Sequence, residues 1–220
     1  MNLHISLLMT TGHLSSVQGA DLAAAVEHTE KALGLARLHH RDLRAMTLLN
    51  NLSEIMLVQN EPERARELAD EGLALAQLAQ SQEGIAANLS QRGYADLLSG
   101  HLSAALADLH GALNGHLQLG TTYYALHDTL RLAAALAQSH PELGALALGI
   151  VQACPQFVDQ PSSLQAKDRC HADLDARLGD DLAAELARGS QLVSEHGETG
   201  ALVAVLEATR DVAAWPSLGN

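Results

Sequence analysis

Through residues 43–59 the apolar positions Met46, Leu49, Leu52, Met56 and Leu57 fall mostly three and four apart, the stripe of one helical face. Asn60, Glu61 and Pro62 interrupt it. Pro62 suits the first turn of a following helix, where its missing N–H costs little. A second stripe, Ala65, Leu68, Ala69, Leu73 and Ala76, predicts that helix over 63–79. The same plan recurs downstream. Helices are expected over 85–98 and 102–117 with Ser99 and Gly100 between them, then over 121–138 and 142–153 with His140 and Pro141 between.

These stripes share a period. Ala25, Ala65, Ala105 and Ala145 stand 40 residues apart, and seven places on come Ala32, Gly72 and Ala112, each followed by leucine (Leu33, Leu73, Leu113). A fixed period of this size means one supersecondary unit used repeatedly, here a pair of helices. The first unit fits less closely: Gly12, Ser15 and Ser16 weaken its first helix, and Gly19 sits one place early. After Ala145 the register fails. Residues 154–163, punctuated by Pro155 and Pro161, read as a loop. Three further helices are predicted over 163–178, 181–193 and 198–212, with Gly179 ending the first and Asp180 as N-cap of the second. The expected organisation is a repeat region over 1–153, capping helices over 154–214 that continue it and cover its last apolar face, and a tail over 215–220.

Composition agrees with helices packed through small residues. Apolar residues are 47% of the chain and aromatics only 2%, so Ala and Leu must fill the interior, which a sheet would not favour. The fold class is all-α. A formal charge of −13, with 26 acidic and 13 basic residues, opposes direct nucleic-acid binding. The N-terminus lacks a basic region followed by an apolar run, and no segment approaches the ~20 apolar residues of a membrane span. A soluble cytoplasmic protein with no membrane partner is expected. Cys154 and Cys170 are too few for a disulfide framework.

The residues of the third unit that carry the period are Gly93, Leu97, Gly100, Ala105, Leu109, Ala112 and Leu113. Those of the second are Leu52, Ser53, Met56, Asn60, Ala65, Ala69, Gly72 and Leu73. This pattern resembles the tetratricopeptide repeat, in which small residues stand where paired helices cross. The resemblance implies a right-handed superhelix of about four helix pairs. Most of the family's aromatics are missing, and 40 residues exceeds the usual period of about 34, which implies longer helices. A narrower resemblance covers residues 133–208, with Pro141, Glu142, Leu143, Gly144, Gly149, Leu178, Gly179, Arg188 and Gly189. It looks like the end of the tetratricopeptide region in bacterial LuxR-type and signal-transduction ATPase regulators, where that region is a sensing or docking arm. The P-loop and basic recognition helix of such regulators are not present.

Catalytic and metal chemistry find little support. His39 and His40 are adjacent, and His110 and His116 are six apart, so neither pair shares a helical face as zinc ligands would. His101, His110, His116 and His127 cluster within units three and four, where they could confer a pH response. No Gly-x-Ser-x-Gly elbow is present, and the neighbours Cys170 and His171 diverge by about 100° on a helix. No enzyme, metal or cofactor is expected. What is left is the inner groove that the resemblance implies, lined by the first helix of each pair: Asn50, Glu54 and Leu57, then Ser90, Tyr94 and Leu97, then His127, Leu130 and Arg131. Asn50 and Tyr94 lead, because Asn bonds a peptide backbone and Tyr offers an amphipathic face. The alternative is that these residues face solvent or pack on the capping helices. The leading functional expectation is a non-catalytic module of a bacterial regulatory protein that binds a peptide or partner domain. The alternatives are a scaffold self-assembling through its terminal repeat faces and, third, a small-molecule sensor or enzyme.

Overall fold

A left-handed residue every twentieth position organises the chain. In the computed structural model, which describes residues 22–155, 157 and 161–214, His40, Asn60, Gln80, Gly100 and Gly120 all have positive φ, at 51°, 59°, 53°, 82° and 69°. Each ends one helix and opens the next. The helices are α1 (Leu22–Leu38), α2 (Asp42–Val58), α3 (Pro62–Leu78), α4 (Gln82–Leu98), α5 (Leu102–Gln118) and α6 (Thr122–Ser139). At every turn the left-handed residue's N–H bonds the carbonyl three back, and the next N–H bonds the carbonyl five back. Asn60 N to Leu57 O is 3.0 Å and Glu61 N to Met56 O is 2.9 Å. This double closure satisfies two orphan carbonyls of the helix end. It also makes residues 41, 61, 81, 101 and 121 both the exit of one helix and the cap position of the next. Ser81 uses its side chain there, accepting from Gly84 N at 3.1 Å.

The rhythm stops at His140, whose φ is −136°. Pro141 opens α7 (Pro141–Ala153) at once. Then come α8 (Pro161–Leu178), a 3-10 turn (Gly179–Asp181), α9 (Leu182–Ala208) and α10 (Arg210–Ala214). Helices predicted over 181–193 and 198–212 are the two arms of α9, broken at Gly197 (φ 70°, ψ 172°), with the second arm giving way to α10. Asp180 lies inside the 3-10 turn; the cap position belongs to Asp181, which makes no side-chain capping bond. The expected first helix of unit one and the tail over 215–220 lie outside the described residues. Among the described residues there is no strand, and no helix is long and apolar enough to cross a membrane.

Consecutive helices from α1 to α7 pack as neighbours, and the first helices α2, α4 and α6 also touch one another. The periodic small residues sit where the helices meet. Ala25, Ala65, Ala105 and Ala145 are all fully buried, as are Ala32 and Ala112. Ser53 Oγ donates to Ala65 O at 2.8 Å, and a Cβ on the equivalent Gly93 would meet Leu109 Cγ at 2.8 Å. On the other side, Arg92 holds Asp108 with two bonds (2.6 and 2.9 Å) and Asp70 with a third (3.0 Å), while Arg66 reaches the buried Asp96 at 2.9 Å. These pairs tie α3, α4 and α5 together.

The C-terminal helices close on the array in two places. Helix α9 lies mainly along α7, and His110 Nε2 of α5 donates to Leu206 O at 3.0 Å. Helix α8 crosses to the other side and leans on α6, α7 and α2. Contact between α7 and α9 is backbone to backbone: a Cβ on Gly149 would overlap the Leu186 carbonyl, and one on Gly189 would overlap the Leu146 carbonyl.

Two predictions follow from this packing. Gly149→Ala and Gly189→Ala each push apart a backbone contact that no side chain can relieve, so each should cost about 3 kcal/mol or more. At ~2–4 °C per kcal/mol this lowers the calorimetric midpoint by roughly 6–12 °C. Gly34→Ala, where nothing lies within 4 Å, should instead stabilise by up to about 1 kcal/mol. Separately, His40→Gly and Gln80→Gly remove left-handed strain at exposed positions. After the offset from a more flexible unfolded chain, the pair should raise stability by roughly 1 kcal/mol, read as a higher urea midpoint at unchanged slope.

Candidate functional site

The first helices of three successive pairs each contribute a side chain to one cavity at a spacing of 40 residues: Asn51 on α2, Gln91 on α4 and Arg131 on α6. They line a cavity of about 310 Å³, to which Asn50, Glu54, Ser90, His127 and Asp128 also contribute. A second lobe of about 220 Å³ shares Asn50, Asn51, Ala87, His116 and Tyr124 with the first. It extends to Met46, Thr47, Glu83 and Gly84. Along α2 the joined lobes run from Met46 to Glu54, about 12 Å at 1.5 Å per residue.

Arg131 anchors the inner end and is only 5% exposed. Its Nη2 donates to Glu54 Oε2 at 2.7 Å and to Ser162 Oγ of α8 at 3.1 Å; its Nη1 donates to Ser90 Oγ at 2.9 Å. The Tyr94 ring lies 5.2 Å from the guanidinium carbon, close enough for cation–π attraction. Burial alone would raise the Glu54 carboxyl. The Arg131 charge, aided by the Ser162 and Gln91 side chains, outweighs that and leaves it below its ordinary value of 4.5.

Two histidines complete the walls. His127 Nδ1 is 2.7 Å from Ser163 Oγ of α8, and its ring meets those of Tyr123 and Phe157 at 4.7 and 4.8 Å. His116 Nδ1 donates to Asp128 Oδ2 at 2.5 Å with both side chains buried, and Tyr124 stacks on the His116 ring at 5.3 Å. Asn50 Nδ2 donates across to Ala87 O at 3.1 Å, joining α2 to α4 along the floor.

Of the nine expected groove residues, five line the cavity: Asn50, Glu54, Ser90, His127 and Arg131. The other four do not. Leu57, Leu97 and Leu130 are core side chains at 0–1% exposure, and Tyr94 is 1% exposed beneath Arg131, with no face left for a ligand. The expected alternative also has a physical counterpart, since Ser162 and Ser163 of α8 bond Arg131 and His127 directly. Asn51, Gln91, His116, Asp128, Tyr123 and Tyr124 also line the cavity and are not among the groove residues expected from the sequence. For two of them the signal was in the sequence, because stepping back 40 from Arg131 reaches Gln91 and then Asn51.

Elsewhere the reactive groups are quiet. Burial, with a nearby Glu198, pushes the free Cys154 thiol up to about 11, and burial with Asp173 pushes the free Cys170 thiol up to about 12, so neither is a ready thiolate at neutral pH. Among the described residues no three His, Cys, Asp or Glu side chains gather as a metal site would require. Comparison of the chain with family models, with curated proteins and with solved structures gives no match.

Because the Glu54 carboxyl is lowered on folding, its contribution to stability is full above about pH 4.5 and is lost as pH falls through the folded value. Wild-type stability should therefore drop on the acid side, and Glu54→Gln should flatten that part of a urea-midpoint profile taken from pH 6 to 3. Arg131→Met leaves the half-buried Glu54 carboxylate uncompensated and should cost about 3 kcal/mol at pH 7. Glu54→Gln/Arg131→Met should recover much of that loss, as a coupled pair does in a double-mutant cycle.

Proposed function

We propose that this chain is a non-catalytic binding module of tetratricopeptide-like build, whose helix pairs wind as a right-handed superhelix and whose groove across α2, α4 and α6 holds a short extended segment of a partner protein. The single observation that carries the reading is the two-lobed cavity itself, a trough about 12 Å long whose polar side chains converge from three equivalent helices. At ~3.3 Å per residue a trough of that length spans about four residues of extended chain. Its walls suit a peptide. Side-chain amides of Asn50, Asn51 and Gln91 offer both donors and acceptors to a backbone, and the rings of Tyr123 and Tyr124 offer amphipathic contact.

Support for the repeat comes from the 20-residue spacing of helix starts and left-handed turns from α1 to α6, with α7 to α10 acting as the cap that covers the last unit. The resemblance of residues 133–208 to regulator arms extends the proposal to a docking role within a bacterial regulatory system.

A pool of blocked hexapeptides, labelled and titrated against the full chain, tests it. Selective binding is expected in the micromolar range, with Ala87→Trp, which fills the trough where the two lobes meet, weakening it at least about tenfold. The thermal midpoint of that variant should stay near wild type. Unselective binding, or binding that ignores the tryptophan, would overturn the proposal.

A further inference from the structure

The trough is electrically asymmetric. At the inner end Glu54 is ion-paired with Arg131, and the Asp128 carboxylate accepts a hydrogen bond from the His116 ring. Helix α8 also leans on this end, with Ser162 on Arg131, Ser163 on His127, and Gln165 Nε2 donating to Val58 O at 3.0 Å. The outer lobe differs. It is lined by Glu83, an exposed carboxylate that forms no ion pair among the described residues, and by Met46, Thr47 and Tyr124. Tyr124 is 47% exposed. One face of its ring is fixed against His116, which Asp128 in turn holds in place.

A carboxylate, an oriented tyrosine ring and a methionine around one lobe of about 220 Å³ are the parts of a pocket for a long cationic side chain. The alkyl stem lies on Met46 and Ala87, the charge meets Glu83, and the Tyr124 ring attracts the cation through its π face. Placement of Glu83 in the first turn of α4 also suits the helix dipole, but that interaction needs neither the tyrosine nor the lobe. A chain carrying 13 more acidic than basic residues adds long-range attraction for a basic ligand.

We infer that the outer lobe is a specificity pocket for an arginine or lysine side chain of the bound segment, while the inner lobe accepts uncharged residues. This inference rests on the peptide-binding reading above and gives it a direction: the segment enters with its basic residue at the Glu83 end and its neutral part towards Arg131.

Four hexapeptide pools, alike except for Arg, Lys, Gln or Glu at one fixed position and with neutral polar residues elsewhere, separate the two claims. The Arg and Lys pools should bind about fivefold tighter than the Gln pool, with the Glu pool weakest. Glu83→Gln should erase most of that preference and its salt dependence while leaving the Gln pool unchanged. Tyr124→Leu should reduce the preference without abolishing it. Equal binding of the Arg, Lys and Gln pools, or a preference that survives Glu83→Gln, would overturn the pocket. If Ala87→Trp still blocked those pools, the groove reading would stand without it. Failure of every pool to bind would remove both.

Discussion

Everything in the array follows from fixing the helix length. A helix of 17 residues ended by a left-handed residue returns the chain to the same point of its cycle every 20 positions, so α2, α4 and α6 present the same face in the same direction. Side chains 40 apart then become lateral neighbours, which is how Asn51, Gln91 and Arg131 come to share one wall. A turn with one residue more or less would rotate the next helix by about 100° and dissolve that wall. Backbone strain at His40, Asn60 and Gln80 is tolerated because the double carbonyl closure and the packing of both flanking helices hold the turn in place.

The second constraint is the near-absence of aromatic side chains from the interior. With Ala at most crossings the helix backbones approach closely, and glycine takes over where even a methyl group is too large. Gly149 against Leu186 and Gly189 against Leu146 are the extreme cases. Gly72 is a milder one, since a Cβ there would overlap the buried Asn88 amide. Such contacts gain dispersion energy from short distances rather than from large side chains, and they tolerate little change in volume.

This explains which parts of the molecule the sequence discloses. The alanine period and the helical stripes are properties of single helices and their crossings, so they are readable directly, down to Pro62 at the start of α3. The turns are less so, because three of five left-handed positions carry His, Asn or Gln rather than glycine. The groove is legible by helix and only in part by face. Leu57, Leu97 and Leu130 share helices with true lining residues yet point into the core, an angular difference that depends on how neighbouring helices are rotated. Contacts between α8 and the groove were hidden for another reason: Ser162 and Ser163 are small polar residues next to a proline, and only the return of the chain brings them to Arg131 and His127.

That return gives the site its chemical character. Had Arg131 faced the cavity unpaired, the groove would read as a clamp for a carboxylate. Glu54 cancels the charge, and Ser90 and Ser162 occupy further guanidinium donors. Burying such a pair is close to neutral for stability. Its consequence is selective: the guanidinium charge is already neutralised, and an incoming anion would have to compete with Glu54 for it. Discrimination by charge is thereby displaced along the trough to the Glu83 carboxylate, where solvent access keeps each contact weak and reversible.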